Sequence, residues 1–474
     1  MTVYEPAVTT PEMSTKVARF LCAATANAIA VLVVHPTGAA TTYRERVQER
    51  TLGNGLELIL LEDHKAPVAV LQLWYRVGSR NESPGFTGLS HLLEHMMFRG
   101  TEKVGPEEYS KIVQRNGGQT NAFTTQDYTT YFATIASDRL EVVIELEADR
   151  MANLVINEAL YGPERMVVME ERRLRVDNSP VGALVEQLSA TAYLAHPYQY
   201  PTIGWMTDIR QSTVADLVRH YKTYYVPNNA FVVAVGDFDS EQLVAAVEAA
   251  FGKIPAASMP PSVRGVEPIQ AGERRVELHR EAELPFVGVA YHVPNLGSRD
   301  GAALEVMAQV LAGGESTRLH HELVYKRRLA RQAAARYDYT SVDPGLFIAY
   351  AQPLPDRSAS DVEAALIEQI DKLKEEPPTA KELEKARNAI EAGFVFAQDS
   401  LFYQGMLLGE YEVAGDWRRI DEYLPAIRAV TTEDLIRVAR VYFDEVQRTV
   451  ATLEPLPPTD GRAPLDSPPS GLVN

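Results

Sequence analysis

Val77-Gly78-Ser79-Arg80-Asn81 recurs far along the chain as Leu296-Gly297-Ser298-Arg299-Asp300. Each copy follows a β-patterned run, Val68 to Tyr75 or Phe286 to Val293, and precedes a helical one. A second correspondence has nearly the same offset: Asp216-Leu217-Val218-Arg219, followed by Tyr224-Tyr225, matches Asp434-Leu435-Ile436-Arg437, followed by Tyr442-Phe443. Offsets this close predict a duplicated unit. Between the copies, residues 254–272 hold Pro255, Pro260, Pro261 and Pro268 with little periodicity, which predicts an extended linker. The expected division is an N-terminal half over 41–253, the linker, a C-terminal half over 273–454 and a Pro-rich tail over 455–474.

Within the first half, 56–61 and 68–77 are predicted strands around a short turn, and Phe86 to Phe98 a helix. A hairpin over 120–125 and 128–135 turns at Gln126-Asp127, and further helices are expected from Ser137, Gly162 and Val181. Strand pairs, then amphipathic helices, then a closing strand predict an α+β fold of two homologous halves, each a largely antiparallel sheet covered by helices.

Composition agrees with a multidomain globular chain. Of 474 residues, 46% are apolar and 23% charged, and the net charge of −18 makes nucleic acid an unexpected partner. The single cysteine, Cys22, excludes an intrachain disulfide framework and a thiolate-rich zinc site, so any metal must be held by histidines and carboxylates. Residues 13–40 read as a secretory leader. Lys16 and Arg19 precede an apolar run from Phe20 to Val34, with His35, Pro36 and small residues ending at Ala39-Ala40. Met13 is the alternative start that this spacing suggests. Cys22 lacks the small preceding residue of a lipid-attachment site. With no later run of about 18 uninterrupted apolar residues, the expectation is a soluble exported chain, placed in the bacterial periplasm, without a stable membrane span.

The chemistry concentrates in His91-Leu92-Leu93-Glu94-His95, inside the predicted helix. Residues at i and i+4 share a face about 5–6 Å apart at Cβ, so both imidazoles can reach one metal ion, with Glu94 beside them. Two histidines and a glutamate are costly to bury unless they bind something. A catalytic metal needs a third protein ligand, and the stretch Glu164-Arg165-Met166-Val167-Val168-Met169-Glu170-Glu171 offers candidates. Glu164 and Glu171 are two turns apart on one face, whereas Glu170 is displaced from Glu171 by about 100°, so only one of the last two can share a face with Glu164. The adjacent His320-His321 make a poor chelate for the same reason.

Leu73 through Glu82, Thr87 through Thr101, Gly117 through Thr124 and Asp127 through Tyr131 together resemble the pitrilysin/insulinase metallopeptidases, the inverzincins, especially their short processing-peptidase-like bacterial members. The resemblance spans nearly the whole chain after the leader. It implies one zinc per chain on His91, His95 and Glu171, the last closing the Glu164 to Glu171 stretch. It further implies Glu164 as support for the ligands and Glu94 as general base on the zinc-bound water. The expected reaction is hydrolysis of peptides or unfolded polypeptides in a chamber closed by two halves arranged as a clamshell. Peptide substrate is expected to add as a strand along Asn121, Ala122, Phe123 and Thr124.

The second half departs from this pattern. The positions matching the ligand helix fall on Ala308 to Gly314, without His or Glu, and Ala389 or Ile390 stands opposite Glu171. Relatives also carry a substrate-contacting Arg/Tyr pair there. Arg318 matches the Arg, but Arg331 stands at the Tyr position. The expectation is therefore a heterodimer in which this chain bears the zinc and a second homologous subunit brings the Arg/Tyr pair. A homodimer becomes possible if Tyr337 or Tyr339 substitutes. The alternative that the family offers is a non-catalytic assembly or peptide-binding subunit that retains the fold.

Overall fold

A computed structural model describes residues 42–457; the expected leader and the tail after residue 457 lie outside them. The N-terminal sheet comprises β1 (Gln48–Thr51), β2 (Glu57–Glu62), β3 (Val68–Tyr75), β4 (Gln119–Thr124), β5 (Thr129–Ala136) and β6 (Ala230–Gly236), in the order β1-β2-β6-β3-β5-β4. The C-terminal sheet comprises β7 (Arg274–Glu281), β8 (Phe286–Val293), β9 (Ala330–Arg336), β10 (Gly345–Pro353) and β11 (Arg448–Leu456), in the order β7-β11-β8-β10-β9. In each sheet the closing strand inserts parallel to the first strand of the repeat, β6 beside β2 and β11 beside β7, while the remaining pairs are antiparallel. The sequence repeat and the strand order thus describe the same duplication.

Helices of eight residues or more are α1 (Leu89–Met96), α2 (Glu108–Arg115), α3 (Leu140–Asn153), α4 (Glu158–Arg172), α5 (Pro180–Ala192), α6 (Val214–Tyr224) and α7 (Ser240–Phe251) in the first half. The second half has α8 (Gly301–Ala312), α9 (Ala359–Glu375), α10 (Ala380–Ala397), α11 (Leu401–Ala414), α12 (Ile420–Ala429) and α13 (Thr432–Tyr442). Residues 255–271 form neither helix nor strand. Glu267 in this segment accepts hydrogen bonds from the backbone N–H groups of Leu194, Ala195 and His196, and Gln270 donates to the carbonyl of Arg448.

Several boundaries differ from the sequence reading, each for a local reason. The helix expected over 86–98 begins only at Leu89, because Gly88 takes a left-handed φ of 86°. A Cβ on Gly88 would lie 2.6 Å from the Ile203 carbonyl. The helix expected from Gly162 starts at Glu158 instead, where Asn157 caps it by accepting from the Leu160 N–H. Strand β11 runs through Pro455, a residue expected in the tail. There its neighbour is Arg280 of β7, β8 having ended its pairing at Leu453, so the missing N–H of proline faces no ladder partner.

The central strands bury both faces. Along β6, Ala230, Val232 and Ala234 face one core, with Leu92, Leu93 and Met96 of α1, while Phe231, Val233 and Val235 face another. That second core is closed by the other half: Met406, Leu408 and Tyr411 of α11, with Trp417 and Ile420, cover Ile59, Leu61, Trp74 and the odd residues of β6. The arrangement is reciprocal, since Leu184 and Leu188 of α5 pack on Phe286, Ala290, Ala451 and Leu453 of the C-terminal sheet. Where α11 crosses β3, Gly405 lies over Gln72 and Gly409 over the Trp74 ring. Gln72 is itself satisfied, accepting from the Trp74 indole and donating to the Phe402 carbonyl.

Polar contacts join the halves at the β4–β5 turn. Arg80 pairs with Asp343 at 2.6 Å and with Asp127 at 3.4 Å. The Val342 N–H donates to Asp127, and the Tyr198 hydroxyl donates to Asp127 while accepting from the Asp343 N–H.

A methyl at position 409 would stand 2.1 Å from Cζ2 of Trp74. Gly409→Ala is therefore expected to destabilise the chain by about 1–3 kcal/mol, read as a lower urea midpoint. Gly393→Ala, in α10 with nothing within 4 Å, serves as the control and should gain about 0.5–1 kcal/mol. A Gly409→Ala midpoint equal to wild type would show that α11 does not seat on Trp74 in solution.

Candidate metal centre

Helix α1 starts without a side-chain cap of its own. Glu82 supplies one from outside: its two carboxylate oxygens accept from the Gly88 and Ser90 N–H groups, each at 2.7 Å. The helix thus anchored places the His91 and His95 rings 4.8 Å apart between centroids, on the face toward α4.

From α4, Glu171 reaches both rings, with Oε2 at 3.2 Å from His95 Nε2 and Oε1 at 3.7 Å from His91 Nε2. Two turns earlier, Glu164 accepts a 2.8 Å hydrogen bond from His95 Nδ1 and a second bond from Arg99. Glu164 and Glu171 therefore grip opposite nitrogens of one imidazole. Glu170 pairs instead with Arg173. The metal-donor atoms of His91, His95 and Glu171 all lie within 4.8 Å of one another. Tetrahedral zinc with ligand bonds of about 2.0–2.2 Å needs donors roughly 3.3 Å apart; the 3.2 and 3.7 Å spacings from Glu171 to the two rings match a metal of that size, and the whole set spans no more than 4.8 Å. The supporting carboxylate on His95 Nδ1 fits as well, because it fixes the tautomer that leaves Nε2 free for a metal.

The electrostatics divide the residues by role. Burial, with His95 nearby, holds His91 down at about 3, so it is neutral at pH 7 and its approach to Glu171 is not an ion pair. Burial also opposes charge on His95, but hydrogen bonds to Glu164 and Glu171 outweigh it and lift the group to about 10. Glu171 goes the other way: burial would raise it, yet His95, His91 and Arg175 hold it at about 2. Glu94 is raised by burial, a trend that its hydrogen bond from Thr124 opposes. One carboxylate of the cluster is thus tuned toward taking a proton and its neighbours toward staying ionised.

The expected substrate strand is β4, which sits at the edge of its sheet. The Ala122 N–H, turned away from β5, finds no strand partner and donates to the Asn121 Oδ1 at 3.0 Å. The Phe123 ring packs on Tyr128 and Phe132, and Thr124 turns to the opposite face, where its hydroxyl donates to Glu94 at 2.6 Å.

Arg318, expected to contact substrate, is engaged within its own half. Its guanidinium is held by Glu382 at 2.8 Å and by the carbonyls of Glu376 and Pro377, all within the second half. The two tyrosines considered as substitutes are likewise engaged: the Tyr337 hydroxyl donates to the Pro294 carbonyl at 2.6 Å, and Tyr339 packs on Tyr411 and Tyr423. Helix α8, at the place of α1 in the second half, buries Ala302, Leu304, Val306, Met307 and Val310 and offers no donor pair. Sequence reasoning missed Arg99, whose bond to Glu164 crosses from the end of α1 to α4, Arg175, which pairs with Glu171 at 2.7 Å from four residues further along, and the cap from Glu82. No helix among the described residues is long and apolar enough to cross a membrane.

Comparison with known proteins agrees with this architecture. Residues 58–205 match the family profile described as Insulinase (Peptidase family M16), and residues 212–390 match that of the Peptidase M16 inactive domain. The zinc protease PqqE of Helicobacter pylori is 34% identical over 420 residues, covering 88% of this chain and 94% of that protein. An uncharacterized zinc protease of Streptomyces coelicolor is 30% identical, covering 83% and 86% respectively. Among solved structures, a protease from Helicobacter pylori superposes with a TM-score of 0.84 at 34% identity, covering 86% of this chain and 99% of that one.

Because the metal-free chain holds a proton on His95 up to about pH 10, zinc uptake at pH 7 must displace it. Calorimetry in buffers of different ionisation enthalpy should count about one proton released per zinc, with affinity rising as pH rises toward that value. Glu164→Gln should lower the count and weaken zinc about 10–100-fold. Uptake without proton release would overturn the protonated state of His95.

Proposed function

The chain belongs to the insulinase family of peptidases, M16, and from that premise we propose that it is a zinc endopeptidase acting on peptides or unfolded polypeptides. The observation that carries the reading is the meeting of His91, His95 and Glu171 donor atoms beside a buried Glu94. His91 Nε2, His95 Nε2 and the Glu171 carboxylate would hold one zinc, with Glu164 orienting His95 through Nδ1. When bound, the metal supplies an acidified water and a polarised scissile carbonyl. Glu94 takes the proton from the attacking water and passes it to the leaving amine. The raised pKa of Glu94 suits it to both tasks.

Substrate binds by adding a strand to β4, where the Ala122 backbone faces outward. In the free chain the Asn121 side chain covers that N–H, so binding exchanges a local contact for a ladder bond. The second half, lacking donors, serves as the cover of the reaction chamber. A second homologous subunit with an Arg/Tyr pair completes the enzyme. This partner reading is supported by Arg331 at the expected Tyr position and by the engagement of Arg318, Tyr337 and Tyr339 within the fold. The Phe20 to Val34 leader supports export to the periplasm.

Hydrolysis of a quenched fluorescent peptide by the zinc-loaded chain, with and without a homologous Arg/Tyr-bearing subunit, tests the reading. Turnover should vanish on chelation and fall about 10²–10⁴-fold in Glu94→Gln, which should still bind one zinc. Equal turnover by Glu94→Gln would sink the general-base role. Full turnover by the chain alone would remove the need for a partner.

A further inference from the structure

We propose that Thr124 is a positioning residue for Glu94: its hydroxyl fixes the carboxylate in the orientation from which it removes the proton. The proposal rests on the peptidase reading above and adds a part that neither the zinc motif nor the strand-addition mode contains.

Thr124 Oγ1 lies 2.6 Å from Glu94 Oε2. Among the described residues it is the one side chain that hydrogen-bonds Glu94, whose residue exposure is 9%. A glutamate side chain has three rotatable bonds, so a buried carboxylate without a partner can turn away from the reacting atoms. The direction of the bond is settled by chemistry. A carboxylate only accepts, so the Thr124 proton goes to Oε2 and leaves Oε1 as the oxygen free to receive the proton of the attacking water. When Oε1 has been protonated, Oε2 still accepts, so the contact persists through the transfer.

Thr124 is itself held. Its register partner on β5 is Thr129, fully buried, whose hydroxyl lies 3.3 Å from Thr124 Oγ1 and 3.0 Å from the Val77 carbonyl. Thr124 also ends the edge strand. Residues two apart on a strand point their backbone groups the same way, so Thr124 shares the outward face of Ala122. An added substrate strand would therefore seat on the residue whose side chain holds the general base. Substrate engagement and base alignment then become one event.

The test compares Thr124→Val and Thr124→Ser with wild type, zinc-loaded, in whichever assembly hydrolyses the quenched peptide. A misplacement near 1 Å costs roughly 100-fold. Thr124→Val should accordingly lose about 10–100-fold in kcat, with KM within about twofold and zinc content unchanged, and Thr124→Ser should recover most of the loss. A cycle of Thr124→Val, Glu94→Gln and the double variant, read as the thermal midpoint of the zinc-loaded chain, should be non-additive. An unchanged kcat in Thr124→Val, a Ser variant as poor as Val, an effect confined to KM, or an additive cycle would each overturn the role. Absence of turnover by wild type in either assembly would instead overturn the peptidase reading itself, and this role with it.

Discussion

The architecture depends on one constraint: the central strands of both sheets carry apolar side chains on both faces, so each sheet must be covered twice. Each half supplies one layer of helices to its own sheet; the other face of β6, with Phe231, Val233 and Val235, remains. The chain resolves this by sending α11 from the second half onto the first sheet and α5 from the first half onto the second. Each exchanged helix makes the other half's core complete, so the relative placement of the halves follows from burial and not from the linker. The linker only has to be long and extended, which its prolines ensure.

That placement determines where chemistry can occur. Covering both faces of a sheet leaves its edges, and at the β4 edge the backbone of Ala122 still finds only the neighbouring side chain. The same edge carries the hydroxyl that meets Glu94, while α1 holds the two histidines beneath. Low dielectric around these groups makes their differences consequential. Glu164 and Glu171 are lowered, against the effect of burial, because cationic partners face them. Glu94 is raised because burial dominates and its hydrogen-bond partner is a neutral hydroxyl. Similar carboxylates thus acquire different tasks from their neighbours.

What the sequence made legible follows from how local each signal is. His91, Glu94 and His95 lie close together on one helix, so period 3.6 alone brings them together. Glu164 and Glu171 obey the same period, but choosing Glu171 over Glu170 required knowing which face of α4 meets α1. The duplication was legible because a repeat preserves spacing. The exchange of α5 and α11 was not, since an amphipathic helix announces an apolar stripe without naming the sheet that receives it. Arg318 illustrates the same limit: a motif position marks a residue, whereas its hydrogen-bond partner Glu382, 64 positions away, is visible only in the fold. The N-terminus of α1 escapes a sequence reading for a tertiary reason too, because the Ile203 backbone presses on Gly88 and leaves no room for a side chain there.

The halves diverge for a reason that lies in the same packing. The duplicated unit has helices in equivalent places, α1 and α8, and only α1 carries a pair of histidines; α8 holds one carboxylate, Glu305, which burial raises to about 7. The polar face of α1 is tolerated because α4 answers it with two carboxylates, one of them buried and bonded to Arg99. Without a donor pair, the rest of the α8 face is apolar and packs into the core of the second half. Gly405 and Gly409 lie closely on Gln72 and Trp74. Their contact seats the second half against the back of β3, the strand that runs beside β6 and β5 in the sheet whose far edge lies next to Glu94.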